Sequence, residues 1–162
     1  TNQVSVAELF GDRPGPEMVF AGFDGIIHCV DSSAQTVWQH QYTMDDEVLT
    51  AGVAIADLTG DGTPEIVFAT YSPDEGKSEL VVLDGGGAVA HEIPLPRNGS
   101  MAVPTIADVD GDGDVEIVVA LKESPDGEPQ VLVYDVPGSA DNCLLWPTGR
   151  GNLRRDGYVP SP

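Results

Sequence analysis

Acidic residues occupy alternate positions in a short loop that leads directly into an apolar run. The loop carries five of them, Asp108, Asp110, Asp112, Asp114 and Glu116. Carboxylates this close repel one another, and the neighbouring apolar residues strengthen the repulsion. Gly111 and Gly113 allow the loop to curl so that alternate side chains converge. A bound cation would offset the repulsion, and hard oxygen ligands, including the Asp114 carbonyl, predict Ca²⁺ rather than Mg²⁺.

The preceding part of the chain contains a second loop with the same spacing of oxygen atoms. Its predicted Ca²⁺ ligands are Asp57, Thr59, Asp61, the Thr63 carbonyl and Glu65. Because Thr59 is neutral, we expect weaker binding here than in the 108–116 loop. A related segment at 8–17 contains Phe10, Arg13 and one extra residue, so we expect no ion there. Plain Asp/Gly turns are the alternative explanation, but two nine-residue loops with matching spacing favour metal sites.

The chain contains three copies of one unit. A glutamate followed by an apolar run recurs as EMVFA from Glu17, EIVFA from Glu65 and EIVVA from Glu116, at intervals of 48 and 51 residues. Each unit holds four short β-like runs bounded by Gly, Pro, Asp and Ser, and the last run of the third unit is NCLLW from Asn142. Four antiparallel strands at this period are typical of a β-propeller blade.

We therefore predict an all-β fold of about three four-stranded antiparallel blades. Blade 1 would occupy residues 1–48 without a metal loop, blade 2 residues 49–99, blade 3 residues 100–147, and a C-terminal tail residues 148–162. Propellers close with four to eight blades, so three blades form a partial ring with apolar faces at both ends. We expect further blades from another chain, a second copy or a longer precursor to complete it.

The second and third units have a recognisable form. VAIADLTGDGTPEIVFA and PTIADVDGDGDVEIVVA resemble FG-GAP/VCBS-type repeats, the calcium-loop blades of integrin-α-like propellers. The first unit, DGIIHCVDSSAQTVWQH, is more similar to a quinoprotein-type propeller repeat, with Trp38 closing the blade. The ending WPTGRGNLRRDG is similar to a tail that follows such repeats in secreted bacterial proteins. The resemblance implies calcium in blade loops and a role in adhesion, ligand binding or scaffolding, but no single activity.

Charge and hydropathy exclude two classes of partner. A net charge of −20 disfavours contact with a phosphate backbone, so we predict no nucleic-acid binding. No apolar stretch approaches the length of a membrane-spanning helix, so we predict no membrane insertion. Together with the calcium loops, these features predict a secreted, extracellular or cell-surface protein, with the periplasm as an alternative.

Catalytic arrangements are missing from the sequence. His28, His40 and His91 have no partners at zinc-ligand spacing, and no nucleophile motif is present. We therefore predict a non-catalytic binding or scaffold module and no enzyme activity. One alternative is a carbohydrate-binding, lectin-like propeller that stacks sugars on Trp38, Trp146 and the tyrosines. Another is an enzyme, or a non-catalytic subunit or fragment of a larger extracellular enzyme.

The sequence permits two covalent modifications, a disulfide and a glycosylated asparagine. Cys29 and Cys143 could form one disulfide or remain two isolated buried thiols. The triplet Asn98-Gly99-Ser100 fits a glycosylation sequon.

Overall fold

The computed structural model describes residues 3–124, 127–139 and 144–152. Within these residues all regular structure is β, in twelve strands that form three antiparallel sheets, so the all-β prediction is confirmed. No helix of the described part of the chain is long and apolar enough to cross a membrane.

The strands of each sheet follow one another along the chain. The first sheet has the order β1 (Val4–Ala7), β2 (Glu17–Ala21), β3 (Ile26–Val30) and β4 (Thr36–Gln41). In the second sheet, β5 (Leu49–Thr50) and β6 (Ala54–Ala56) both pair with β7 (Glu65–Tyr71), followed by β8 (Glu79–Leu83) and β9 (Val89–Pro94). The third sheet contains β10 (Thr105–Ala107), β11 (Val115–Ala120) and β12 (Val131–Val136). The glutamate-headed runs of the three units thus form β2, β7 and β11.

Tight turns join the last two strands of the first and second sheets. The Asp31 carboxylate accepts hydrogen bonds from two backbone N–H groups of its own turn, at 2.8 and 2.9 Å. Asp84 accepts two equivalent bonds, both at 2.9 Å. An aspartate that binds the backbone ahead of it stabilises the turn locally, which explains why Asp ends the third β-like run of each of these units.

The sheets pack face to face, and each interface is a separate hydrophobic core. The first core joins the first and second sheets and includes four fully buried residues, Val19, Ile27, Ile66 and Phe68. The second core joins the other face of the second sheet to the third and includes Val67, Leu80, Ile106 and Val119, also fully buried. The middle sheet is therefore covered on both faces, and each outer sheet on one.

Trp38 links the first sheet to a turn of the second. Its indole Nε1 donates a hydrogen bond to the Gly85 carbonyl at 3.0 Å. A Cβ atom added to Gly87, whose φ is +86°, would lie 2.7 Å from the Trp38 ring. Only glycine fits this position, because a side chain would meet both the ring and an unfavourable backbone conformation.

The predicted count of four strands per unit is wrong for the second and third sheets. The second has five strands, because the short β5 pairs with the far end of β7. The third has three, because residues 144–146 of the NCLLW run leave it; Asn142 and Cys143 lie outside the described residues, as does the tail beyond 152.

The chain around Trp146 instead joins the second and third sheets. Trp146 and Ile55 of β6 exchange two backbone hydrogen bonds, at 2.8 and 2.9 Å. The Pro147 carbonyl accepts one from Ile106 of β10 at 2.8 Å. Trp146 is only 9% exposed and belongs to the first core, so burial of its side chain accounts for this path.

Candidate metal centre

In each sheet a loop leads into the glutamate-headed strand. These loops connect β1 to β2, β6 to β7 and β10 to β11. In the third sheet, the loop between β10 and β11 is folded around the Asp108 carboxylate. Its two oxygens accept hydrogen bonds from the backbone N–H groups of Gly111, at 2.6 Å, and Gly113, at 3.2 Å. Both glycines have positive φ, +84° and +99°, a conformation that glycine adopts without steric cost. The predicted curl of the loop is therefore present.

Three of the four carboxylates predicted as ligands converge. Oxygen atoms of Asp108, Asp110 and Glu116 all lie within 4.8 Å of one another. Asp108 and Asp110 are exposed to solvent, and Glu116 is 3% exposed at the base of the loop. Each carboxylate oxygen carries two lone pairs, so an oxygen that already accepts an N–H bond retains a site for a cation. This donor set of hard oxygens fits Ca²⁺.

The other two acidic side chains are not part of this group of three. The Asp112 carboxylate accepts a hydrogen bond from the Asp114 backbone N–H at 2.9 Å. The Asp114 carboxylate accepts one from the backbone N–H of Gly138, in the turn after β12, at 2.9 Å. The Asp114 side chain therefore links the loop to the turn after β12, and the predicted metal ligand of this residue is its backbone carbonyl.

The loop between β6 and β7 repeats the same hydrogen bonds. Asp57 accepts from the N–H groups of Gly60 and Gly62 at 2.7 and 2.8 Å. Asp61 accepts from the Thr63 N–H at 2.7 Å, and the Thr59 hydroxyl lies 3.5 Å from Asp57. Among the described residues, the 108–116 loop holds the one set of three acidic, His or Cys side chains that come this close. The second loop therefore has the predicted fold with a less compact set of ligands.

Electrostatic repulsion nevertheless acts on the Glu65 carboxyl in the 57–65 loop. Burial raises the pKa of the Glu65 carboxyl, and the negative charges of Asp57 and Asp61 raise it further. Because a carboxyl with a raised pKa is destabilised in its charged form, a cation in this loop would relieve the repulsion.

The repeated glutamate has a structural role that the ligand spacing did not reveal. Glu116 accepts a hydrogen bond from the Val109 backbone N–H at 2.7 Å, and Glu65 accepts one from Leu58 at 2.6 Å, each seven residues earlier. Glu17 does the same with Leu9, eight residues earlier, at 2.9 Å. The glutamate recurs in the first unit, where Phe10 and Arg13 argue against an ion. That recurrence was the available signal for this role.

The loop between β1 and β2 differs from the other two as its sequence suggests. Glu17 is fully buried, and its Oε1 atom has no hydrogen-bond partner. The Arg13 guanidinium lies 5.1 Å from the centre of the Phe10 ring, in a cation–π contact. The absence of an ion from this loop stays a prediction.

Part of the chain matches a known protein family. Residues 57–119 match the FG-GAP-like repeat family. The matched segment spans less than half of the chain. It begins at Asp57, the first predicted ligand of the 57–65 loop, and ends just beyond the 108–116 loop. It therefore includes both candidate metal loops and excludes the first sheet. The predicted resemblance is confirmed for this part of the chain. None of the curated proteins matches the chain.

Among solved structures, the fold is similar to that of the biofilm matrix protein Bap1 of V. cholerae. The TM-score is 0.56 at 20% sequence identity, and the similarity covers 90% of this chain and 24% of that one. This chain thus spans about a quarter of the length of Bap1. At this identity the similarity concerns the fold alone.

The residues proposed for sugar stacking and the histidines lie in other surroundings. Trp38 is half-buried against the second sheet and Trp146 is buried in the first core, so Trp146 presents no free face for a sugar. His28 stacks on Phe20, with ring centroids 5.1 Å apart, and its Nε2 lies 3.0 Å from an Asp24 carboxylate oxygen. Nothing in these contacts favours the lectin alternative.

Proposed function

We propose that this chain is a calcium-stabilised, non-catalytic module of an extracellular protein, with a binding or scaffold role in adhesion or protein–protein interaction. One observation carries the proposal. The carboxylates of Asp108, Asp110 and Glu116 lie within 4.8 Å of one another in a loop that belongs to the FG-GAP-like segment.

These three residues would hold the ion, with Asp112 and the Asp114 carbonyl as further ligands. Bound Ca²⁺ would supply the positive charge that cancels the repulsion among them. The backbone N–H bonds to Asp108 and Glu116 fix the positions of both carboxylates, which limits the conformational entropy lost on binding. A weaker second site would use Asp57, Thr59, Asp61, the Thr63 carbonyl and Glu65.

The extracellular, non-catalytic part of the proposal has separate support. The protein that shares the fold is named for the biofilm matrix, and the net charge of −20 suits a highly soluble surface. Extracellular calcium is at millimolar levels, at which even a modest site is occupied.

We also propose that the three sheets are blades of a β-propeller. The repeat period, the antiparallel order and the face-to-face packing of successive sheets support this arrangement. Because a propeller needs at least four blades, additional sheets would have to complete the ring.

Calorimetric titration of the full chain with Ca²⁺ after chelation tests the metal site. We expect saturable binding that Asp108→Asn weakens by about tenfold or more, because one charged ligand is lost. Glu92→Gln, at an exposed position on β9, is the matched control and should bind like the wild type. Heats of dilution alone, or equal binding by both variants, would contradict the proposal.

A further inference from the structure

An open cleft lies between the second and third sheets, at the end away from the candidate metal loops. Alternate connections of an antiparallel sheet lie at opposite ends, and β7 begins at Glu65 of the 57–65 loop and ends at Tyr71, near the cleft. The cleft has a volume of about 580 Å³, within the range of about 300–1,000 Å³ that is typical of small-ligand sites. Its lining includes Glu75, Arg97, Asn98, Leu121, Lys122 and Gln130.

The Asn98-Gly99-Ser100 triplet joins the loops that form the walls of this cleft. The Asn98 side-chain amide donates hydrogen bonds to two backbone carbonyls of the loop after β7, at 2.8 and 2.9 Å. The Gly99 carbonyl accepts one from the Lys122 backbone N–H at 2.8 Å, and the buried Ser100 hydroxyl donates one to the Ala120 carbonyl at 2.7 Å. Because these bonds connect the second sheet to the third, they limit the relative movement of the two walls.

Two of the seven Lys and Arg residues of this acidic chain line the cleft. Within the described residues, Lys122 belongs to no ion pair. The Arg97 guanidinium lies 3.5 Å from a Glu75 carboxylate oxygen, and both side chains are exposed, so this pair contributes little to stability. Lys77, by contrast, contacts two carboxylates, at 2.7 and 3.3 Å. Both cations of the cleft are therefore available to an anionic ligand.

The backbone at Arg97 has a conformation that favours glycine. Its φ is +58°, and in the described part of the chain Ala34 is the one other non-glycine residue with positive φ. A side chain in this conformation has a steric cost, and residues held in such conformations cluster at ligand sites. Glycine would avoid the cost, so a role of the guanidinium in binding accounts for an arginine at this position.

The charge and polarity of the cleft restrict the chemistry of the ligand. A guanidinium and an ammonium group together favour a carboxylate. A ligand with many carboxylates is disfavoured, because Glu75 and Glu123 also line the cleft and the net charge of the chain is −20. The amide groups of Asn98 and Gln130 suit hydrogen bonds with hydroxyl groups, and Leu121 adds a small apolar surface. These groups fit a sugar ring that carries a single carboxylate.

We infer that this cleft binds a sugar acid, whose carboxylate contacts Arg97 and Lys122 and whose hydroxyl groups contact Asn98 and Gln130. The inference rests on the proposed binding role of the chain and gives that role a class of ligand. It does not depend on calcium, because the candidate metal loops lie at the other end of the sheets.

Titration of the full chain with methyl glucuronide, followed by two-dimensional NMR in calcium buffer, tests this inference. We expect saturable shifts of the backbone amide signals of residues 97–99 and 121–124. Methyl glucoside, in which a hydroxymethyl group replaces the carboxylate, should bind more weakly by about fivefold or more. Arg97→Gln and Lys122→Gln should each weaken glucuronide binding by about fivefold. Arg150→Gln removes an exposed cation outside the cleft and is the matched control, which should bind like the wild type.

The Arg97→Gly variant separates a binding role of Arg97 from a structural one. Glycine suits the positive φ and removes the guanidinium, so the thermal midpoint should not fall while glucuronide binding weakens. A lower midpoint with unchanged binding would overturn the inference. So would the absence of saturable shifts, equal binding of methyl glucoside, or binding of a tetraglutamate peptide in place of the glucuronide. Calcium titration of the same samples reports separately on the proposed metal site.

Discussion

The repeated glutamates provide an internal test of whether the 108–116 loop binds a cation. Glu17 and Glu116 both accept a backbone N–H bond, at 2.9 and 2.7 Å, but only Glu116 belongs to the three-carboxylate group. Replacement by glutamine keeps an acceptor oxygen for the N–H group and removes the charge. Glu116→Gln therefore removes the charge of a predicted ligand while leaving the loop closed, and Glu17→Gln is its matched control.

The expected change has opposite signs with and without calcium. At up to 4.8 Å from Asp108 and Asp110, the Glu116 charge costs about 1 kcal/mol per pair in a water-like dielectric and about 3 kcal/mol at an effective dielectric constant of about 20. Even the smaller value gives a relief of about 2 kcal/mol, offset by about 1 kcal/mol for the weaker neutral hydrogen bond. Without calcium, Glu116→Gln should thus raise the free energy of unfolding by about 1 kcal/mol. With calcium at about 100 times its dissociation constant, the wild type gains about 2.7 kcal/mol that the variant largely lacks, so the variant should be less stable by about 2 kcal/mol.

Urea unfolding followed by tryptophan fluorescence, in chelator and in calcium, measures both differences. Glu17→Gln should change stability by the same amount in the two buffers, because no carboxylate group converges on Glu17. The reasoning would be refuted if the two variants responded equally to calcium, or if Glu116→Gln lost as much stability in chelator as in calcium.

Three further changes test other parts of the structure. Trp38→Phe removes the 3.0 Å hydrogen bond to the Gly85 carbonyl and should lower the free energy of unfolding by about 1 kcal/mol; equal urea midpoints would contradict this. In a Cys143→Ser variant, Cys29 should resist a chromogenic thiol reagent at about pH 8, because burial raises the pKa of the Cys29 thiol to about 12. Rapid labelling of the folded chain would count against it. Asn98→Ala removes two hydrogen bonds, at 2.8 and 2.9 Å, from the side-chain amide to backbone carbonyls and should cost about 2 kcal/mol, which an unchanged thermal midpoint would disprove.

Local pattern predicted most of the fold. The glutamate-headed runs are largely apolar and recur at a regular interval, so the sequence period identified β2, β7 and β11 directly. The prediction of a fourth strand in the third sheet was wrong, because the apolar pattern of that run does not identify the strand with which it pairs. Trp146 pairs with Ile55, whose sequence neighbours give no sign of it. Such non-local pairing depends on which core accepts the indole, a tertiary effect that outweighs local propensity.

The candidate metal loop was predicted from ligand spacing, but spacing alone could not separate ligands from turn-forming aspartates. Asp108, Asp110 and Asp112 each accept a backbone N–H within the loop. An aspartate has the same reason to occur there whether it binds a cation or stabilises a turn. Only the distances among the carboxylates select Asp108, Asp110 and Glu116 as the converging set.

The loop between β1 and β2 indicates what calcium would contribute to the stability of the 57–65 and 108–116 loops. Glu17 accepts the Leu9 backbone N–H although Phe10 occupies a predicted ligand position and Arg13 brings a positive charge into the loop. The strand connection therefore closes through the protein's own hydrogen bond, and the loop also holds a cation–π contact between Arg13 and Phe10. Because Glu65 and Glu116 make the same bond, calcium in those loops would stabilise a turn that is already formed. Its contribution would be the removal of charge repulsion, and the strands on either side would persist without it.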